Sequence, residues 1–116
     1  MNAVPVVLFA LAASLGLWMA ARHFRGNPSP PAWGLLHGLF AVAGMIILAA
    51  IIPQFHHQTW GWIALGLFIG AAIGGAFLFV RQKRGKPWPG VVVLIHGAVA
   101  VTAFVVLLIW LTGGAS

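Results

Sequence analysis

Two of the five histidines in this 116-residue chain stand in the same local sequence. His37 and His96 are each preceded by Leu-x and followed by Gly-x-x-Ala-Val. An imidazole can bind a metal through one ring nitrogen, transfer a proton or hydrogen-bond to a backbone carbonyl. The chemistry open to this pair is therefore metal ligation, proton transfer or structural hydrogen bonding.

Several other kinds of chemistry are excluded by composition. The chain contains no Asp, no Glu and no Cys. Acid–base catalysis by paired carboxylates therefore has no residues to perform it. Thiolate metal sites, iron–sulfur clusters, disulfides and covalently attached c-type haem are excluded for the same reason.

The two histidines match because the chain contains an internal repeat. A shift of 59 residues aligns the two halves without a gap, and 15 of the 35 residues between positions 8 and 42 are identical to their partners. Composition bias alone would give far fewer identities. We therefore predict one membrane domain, residues 1–116, made of two tandem units, repeat 1 at residues 1–55 and repeat 2 at residues 60–116.

Four apolar runs are long enough to cross about 30 Å of hydrocarbon as helices. The chain is 62% hydrophobic and 5% charged, so the bilayer is its expected solvent. The sequence predicts an all-α bundle of four transmembrane helices. Each unit has an even number of spans, which predicts a pseudo-twofold axis along the membrane normal. The predicted spans are Val4–Ala21, Ala32–Ile52, Trp60–Val80 and Gly90–Leu111.

The positive charges are confined to two of the three links between spans, residues 22–31 and 81–89, which we call the basic links. The positive-inside rule predicts that both basic links are cytoplasmic and that both termini lie outside, in a bacterial inner membrane. Nucleic-acid binding is not expected, because the cations form two short clusters between apolar runs and not a soluble basic surface. The six cations are Arg22, Arg25, Arg81, Lys83, Arg84 and Lys86.

The repeated histidines and arginines together predict one haem b per chain. His37 lies six residues after Pro31, about 9 Å along a helix, and an ionisable group at that depth marks a functional site. We expect His37 and His96 to be axial ligands, with the propionates near Arg22, Arg25, Arg81 and Arg84. Small residues would form the pocket. They are Gly16, Gly34, Gly38, Ala41, Gly75, Gly97 and Ala100.

An iron held by two imidazoles has no open position, which favours an electron carrier over a complete enzyme. Two other functions stay open at this point. One is a small transporter or channel, although the chain has no membrane carboxylate for proton coupling. The other is an accessory subunit in which the histidines are structural and the arginines meet lipid phosphates.

Three smaller features have mainly structural interpretations. Gly66, Gly70 and Gly74 form a small-residue stripe that can pack within the bundle or form a homodimer. The adjacent histidines His56 and His57 are expected to be loop residues, with metal binding a less favoured alternative. His23 could support a propionate or conduct protons.

The repeated Arg-x-x-Arg-Gly-x-Pro and His-Gly-x-x-Ala motifs resemble the signature of a group of small bacterial four-helix membrane proteins. More loosely, the architecture and ligand type resemble membrane b-type cytochromes. That resemblance implies electron exchange with a quinone or a redox protein. The chain has one matched histidine pair, whereas larger cytochromes of this type hold two haems.

Overall fold

The computed structural model describes residues 3–113, and all the regular secondary structure in that range is helical. The prediction of an all-α protein with four long helices is confirmed. A short 3-10 helix, Ile52–Gln54, follows the second long helix. The long helices are α1 (Ala3–Phe24), α2 (Pro31–Ile51), α3 (Thr59–Lys83) and α4 (Gly90–Gly113).

All four helices are long and apolar enough to cross a membrane. Their outer faces carry large aliphatic side chains, including Leu17, Ile46 and Ile73, which are more than 60% exposed. A water-soluble protein would bury such side chains, whereas hydrocarbon is a good solvent for them. The outer face therefore indicates a membrane protein.

Helices α1 and α3 end in the same kind of turn. Gly26 and Gly85 have φ values of 79° and 72°, a conformation that side chains with a Cβ rarely adopt. The backbone N–H after each glycine returns to the helix, because Asn27 donates to the carbonyl of Arg22 at 2.8 Å. Lys86 donates to the carbonyl of Arg81 at 3.0 Å. The Arg-Gly pair in the repeated motif is therefore a helix-ending signal.

The helices pair as two hairpins, α1 with α2 and α3 with α4, and α2 packs against α3 to join them. Helices α1 and α4 contact each other less extensively than α2 and α3 do. The rings of Phe9 and Phe68 stack between α1 and α3 with their centroids 3.7 Å apart. Gly44 makes room for this stack, since a Cβ there would lie 2.9 Å from the Phe9 ring.

The closely packed core lies toward the uncharged link, residues 55–58. Trp110 packs over Gly61 and donates its indole N–H to the backbone carbonyl of His57 at 2.6 Å. The opposite half of the bundle, near the basic links, holds the cavities described below. The core cluster comprises Phe9, Leu48, Ile51, Ile52, Ala64, Phe68, Ala103, Leu107 and Trp110.

Candidate functional site

The structure brings His37 and His96 together across the bundle, from α2 and α4. Their ring centroids are 6.0 Å apart, and the ring planes are inclined at 79°. Both side chains are partly buried, among four helices that contain no carboxylate. Whatever role the pair has, the two imidazoles act within one site.

Each of these histidines makes the same hydrogen bond to a neighbouring helix. His37 Nδ1 donates to the carbonyl of Ala12 at 2.7 Å, and His96 Nδ1 donates to the carbonyl of Ala71 at 2.7 Å. A carbonyl can only accept, so Nδ1 carries the proton in both rings. In the neutral imidazole this leaves Nε2 with a free lone pair, the form that binds metals.

Two glycines allow the rings to lie against the first and third helices. A Cβ at Gly16 would lie 3.0 Å from His37 Cε1, and a Cβ at Gly75 would lie 3.1 Å from His96 Cε1. Contacts that short would push each ring away from its carbonyl partner. Gly16 and Gly75 therefore help to fix the orientation of the imidazoles.

A cavity extends from the histidine pair toward the basic links, and both rings line it. Its volume is about 70 Å³. That holds a few water molecules. A porphyrin needs more space, so binding one requires movement of the side chains that line this cavity. Met19, Leu78 and Phe79 are the large apolar ones.

The predicted pocket residues fall into two groups. Gly16, Gly34 and Gly75 line the histidine cavity. The other four are not among its lining residues. A Cβ at Gly38 or Gly97 would have no neighbouring atom within 4 Å, and Ala41 and Ala100 are partly exposed.

Sequence reasoning missed the larger side chains that line the same cavity. Met19 and Leu78 lie three residues after Gly16 and Gly75 and therefore face the same side of their helices. That spacing was a usable signal. Trp88 and Gln82 also line the cavity, but they come from a link and a helix end, where periodicity gives no guidance.

The four repeated arginines divide into two kinds. Arg22 Nη2 donates to the carbonyl of Pro28 at 3.3 Å, and Arg81 Nε donates to the carbonyl of Pro87 at 3.0 Å. These two side chains fold over their own links and brace them. Arg25 and Arg84 are exposed, and within residues 3–113 neither side chain makes a hydrogen bond to protein.

No protein-only metal site accompanies the pair. Residues 3–113 contain no group of three or more His, Cys, Asp or Glu side chains that could hold an ion. His56 and His57 are exposed on the uncharged link. His23 lies at the basic end of the bundle, where its ring is 5.5 Å from that of Trp88.

The three glycines of the small-residue stripe on α3 lie in two different environments. Gly66 and Gly70 are exposed, and a Cβ at either position would meet nothing within 4 Å. A Cβ at Gly74 would lie 3.6 Å from the Cβ of His96. Gly74 thus serves the bundle interior, while the other two glycines face outward.

Comparison with known proteins gives no further guide to this site. No protein-family model, curated protein or solved structure matches the chain. The case for a function therefore depends on the residues and their geometry.

Proposed function

We propose that this protein is a membrane b-type haem protein that transfers electrons through one bis-histidine haem. The observation that carries the proposal is the pair of equivalent hydrogen bonds from Nδ1 of His37 and His96 to backbone carbonyls. Metal-bound histidines nearly always donate their second ring nitrogen in this way, which fixes the tautomer and the ring orientation. Both imidazoles are thus prepared as Nε2 ligands.

The separation of the rings supports a shared metal. With each Nε2 about 2.0 Å from a central metal ion, and each ring centroid about 1 Å behind its nitrogen, the centroids would be about 6 Å apart. The observed separation is 6.0 Å. The distance between the rings is therefore compatible with a common ion.

A porphyrin accounts for the small number of protein ligands. Two imidazoles alone bind an ion weakly, and residues 3–113 offer no third ligand of the usual kinds nearby. Haem would bring four nitrogen ligands of its own, so the protein would need to supply only His37 and His96. When bound, the haem would supply one-electron redox chemistry.

The protein's own residues would orient the group and exclude water. Ala12 and Ala71 would hold the two rings through their carbonyls, and Phe9 and Phe68 close the bundle on the core side. At the basic end, the exposed Arg25 and Arg84 suit the propionates best. Arg22 and Arg81 are already engaged with their links.

We also infer that the two halves are tandem repeats related by a pseudo-twofold axis along the membrane normal. In support, the matched histidines, their carbonyl acceptors and the stacked phenylalanines all lie 59 residues apart in sequence. The positive-inside rule places the basic links in the cytoplasm and both termini outside, in a bacterial inner membrane. The haem would then lie near the cytoplasmic side.

An electron carrier of this kind needs partners. With His37 and His96 as its two protein ligands, a bound haem would have no position free for oxygen and would supply one-electron transfer. The resemblance to membrane b-type cytochromes suggests a quinone or another redox protein as donor or acceptor. The exposed glycines Gly66 and Gly70 offer a surface for a second copy of the chain.

Purification from haem-replete cells, followed by an absorption spectrum and a pyridine haemochrome assay, tests the proposal. We expect haem b at one per chain. His37→Ala and His96→Ala should each abolish the low-spin spectrum, because each removes one axial ligand. His56→Ala, an exposed histidine far from the pair, is the matched control and should keep it.

One competing function has a specific observation in its favour. A centroid separation of 6.0 Å with steeply inclined ring planes is also typical of edge-to-face packing between aromatic rings. The histidines would then tie α2 to α1 and α4 to α3 in an accessory subunit without cofactor. A colourless wild-type protein, destabilised by either His→Ala variant, would support that function instead.

A further inference from the structure

A second cavity, of about 270 Å³, lies at the basic end between the two basic links. Its polar lining comes from both halves of the chain, with His23 and Ser29 from the first and Gln82 and Lys86 from the second. Trp88 and Gln82 also line the histidine cavity, so the two spaces adjoin. This second cavity has no part in holding the imidazoles.

Ser29 lines the cavity and has a buried hydroxyl whose hydrogen-bonding capacity is unused. Ser29 is 4% exposed, and its hydroxyl has no hydrogen-bond partner within residues 3–113. The Gln82 side-chain amide donates to the backbone carbonyl of Ser29, which fixes the position of this residue. A buried hydroxyl without a partner is rare in folded proteins and points to a ligand.

The charge around the cavity indicates an anion. Lys86 lines it and is positively charged, and the His23 imidazole in the same lining can donate a hydrogen bond to an anion. The chain has no Asp or Glu to pair with either side chain, which favours an anion from outside the protein.

The position of the cavity indicates a phosphate. It lies where α1 and α3 end and where the links to α2 and α4 begin. In a bilayer-spanning bundle this is the level of the lipid headgroups. Phosphate oxygens accept several hydrogen bonds at once, which suits a lining that includes Ser29, Lys86 and His23.

The polar lining is not repeated in the chain. In the 59-residue alignment His23 is paired with Gln82, and Ser29 is paired with Trp88. Each pair contributes both of its members to this cavity. The two halves therefore contribute different side chains to one shared cavity, which suits one ligand.

We propose that this cavity binds one phosphate group, either the headgroup of an anionic lipid or a soluble phosphate. The proposal does not depend on haem, because Ser29, Gln82 and Lys86 are not assigned to the cofactor. Ser29 donates its hydroxyl proton to the phosphate, and Lys86 provides the neutralising charge.

Native mass spectrometry of the delipidated full chain in detergent tests this proposal with three probes: phosphatidylglycerol, diacylglycerol and inorganic phosphate. One tightly bound phosphatidylglycerol, without binding of the other two, identifies a lipid headgroup. Binding of inorganic phosphate identifies a soluble source. If neither phosphate-containing probe binds at one per chain, the proposal is wrong.

Two pairs of variants distinguish a specific binding site from general attraction of an anion to a basic surface. Ser29→Ala should weaken binding about tenfold, as expected for loss of a hydrogen bond to a charged group. Ser14→Ala, on the exposed face of α1, should have no effect. Lys86→Gln should weaken binding more than Arg84→Gln, which removes the same charge outside the cavity. Equal effects of these two variants would overturn the proposal.

Discussion

At the scale of single residues, the site depends on how two imidazole rings are held. A backbone carbonyl of the adjacent helix accepts a hydrogen bond from each Nδ1. Because both acceptors belong to helix backbone, no side-chain substitution removes them directly. The orientation of each ring can instead be altered through the glycine beside it.

Gly16→Leu should displace the His37 ring, because even a Cβ at this position would lie 3.0 Å from Cε1. We expect loss of most bound haem and a lower melting temperature. Gly38→Leu is the matched control, since a Cβ there meets no atom within 4 Å. Equal haem content in the two variants, measured by pyridine haemochrome, would show that ring orientation does not matter for binding.

The sequence predicted these histidines as a pair, since a repeat must carry both copies into equivalent places. Their carbonyl partners were not predictable, because the rotation of α1 and α3 about their axes decides which backbone group faces each ring. The phosphate cavity was also missed. It is lined by positions where the two halves differ, whereas the sequence argument used positions where they agree.

At the scale of elements, the basic links explain the repeated arginine motif. The glycine ends the helix in a left-handed turn, and the first arginine reaches the carbonyl of the proline six residues later. The second arginine is exposed in both links. The two arginines of each motif therefore have different structural roles.

Substitution of the first or the second arginine should distinguish those roles. Arg22→Gln should lower the melting temperature, because it removes the brace across the first link. Arg25→Gln carries the same charge change and should leave stability unaltered while weakening haem retention. Thermal unfolding and haem content, measured on both variants, check this. A larger stability loss in Arg25→Gln would contradict the assignment.

The turn glycines should be sensitive to substitution independently of haem. Gly26→Ala and Gly85→Ala each force a Cβ into the left-handed region, at a cost of about 1–2 kcal/mol in the free energy of unfolding. Gly97→Ala is a suitable control, because this glycine is helical and its added Cβ meets nothing. Equal thermal stability of all three variants would contradict the role assigned to these turns.

At the scale of the whole molecule, the four helices were predictable because bilayer thickness sets the length of each apolar run. The predicted spans agree with the helices to within a few residues. The largest differences are at the C-terminal ends of α1 and α3. Helix α3 continues to Lys83, three residues beyond the predicted end at Val80. Polar residues can extend a helix beyond the hydrocarbon, so hydropathy does not locate these ends.

The chain's lack of cysteine permits a direct test of its orientation. A single cysteine introduced as Asn27→Cys or Lys86→Cys should be protected from a membrane-impermeant maleimide in intact spheroplasts. A cysteine introduced as His56→Cys should be labelled, because the proposed topology places the uncharged link outside. Labelling in the reverse pattern would contradict the predicted topology.

The central claim is that His37 and His96 bind one iron between them, and electron paramagnetic resonance of the oxidised protein tests it most directly. If the two rings keep their 79° inclination with iron bound, the low-spin signal should be strongly anisotropic. We predict that signal at one haem per chain, with its loss in His37→Ala and in His96→Ala. A high-spin signal, or a low-spin signal that survives either substitution, would contradict the claim.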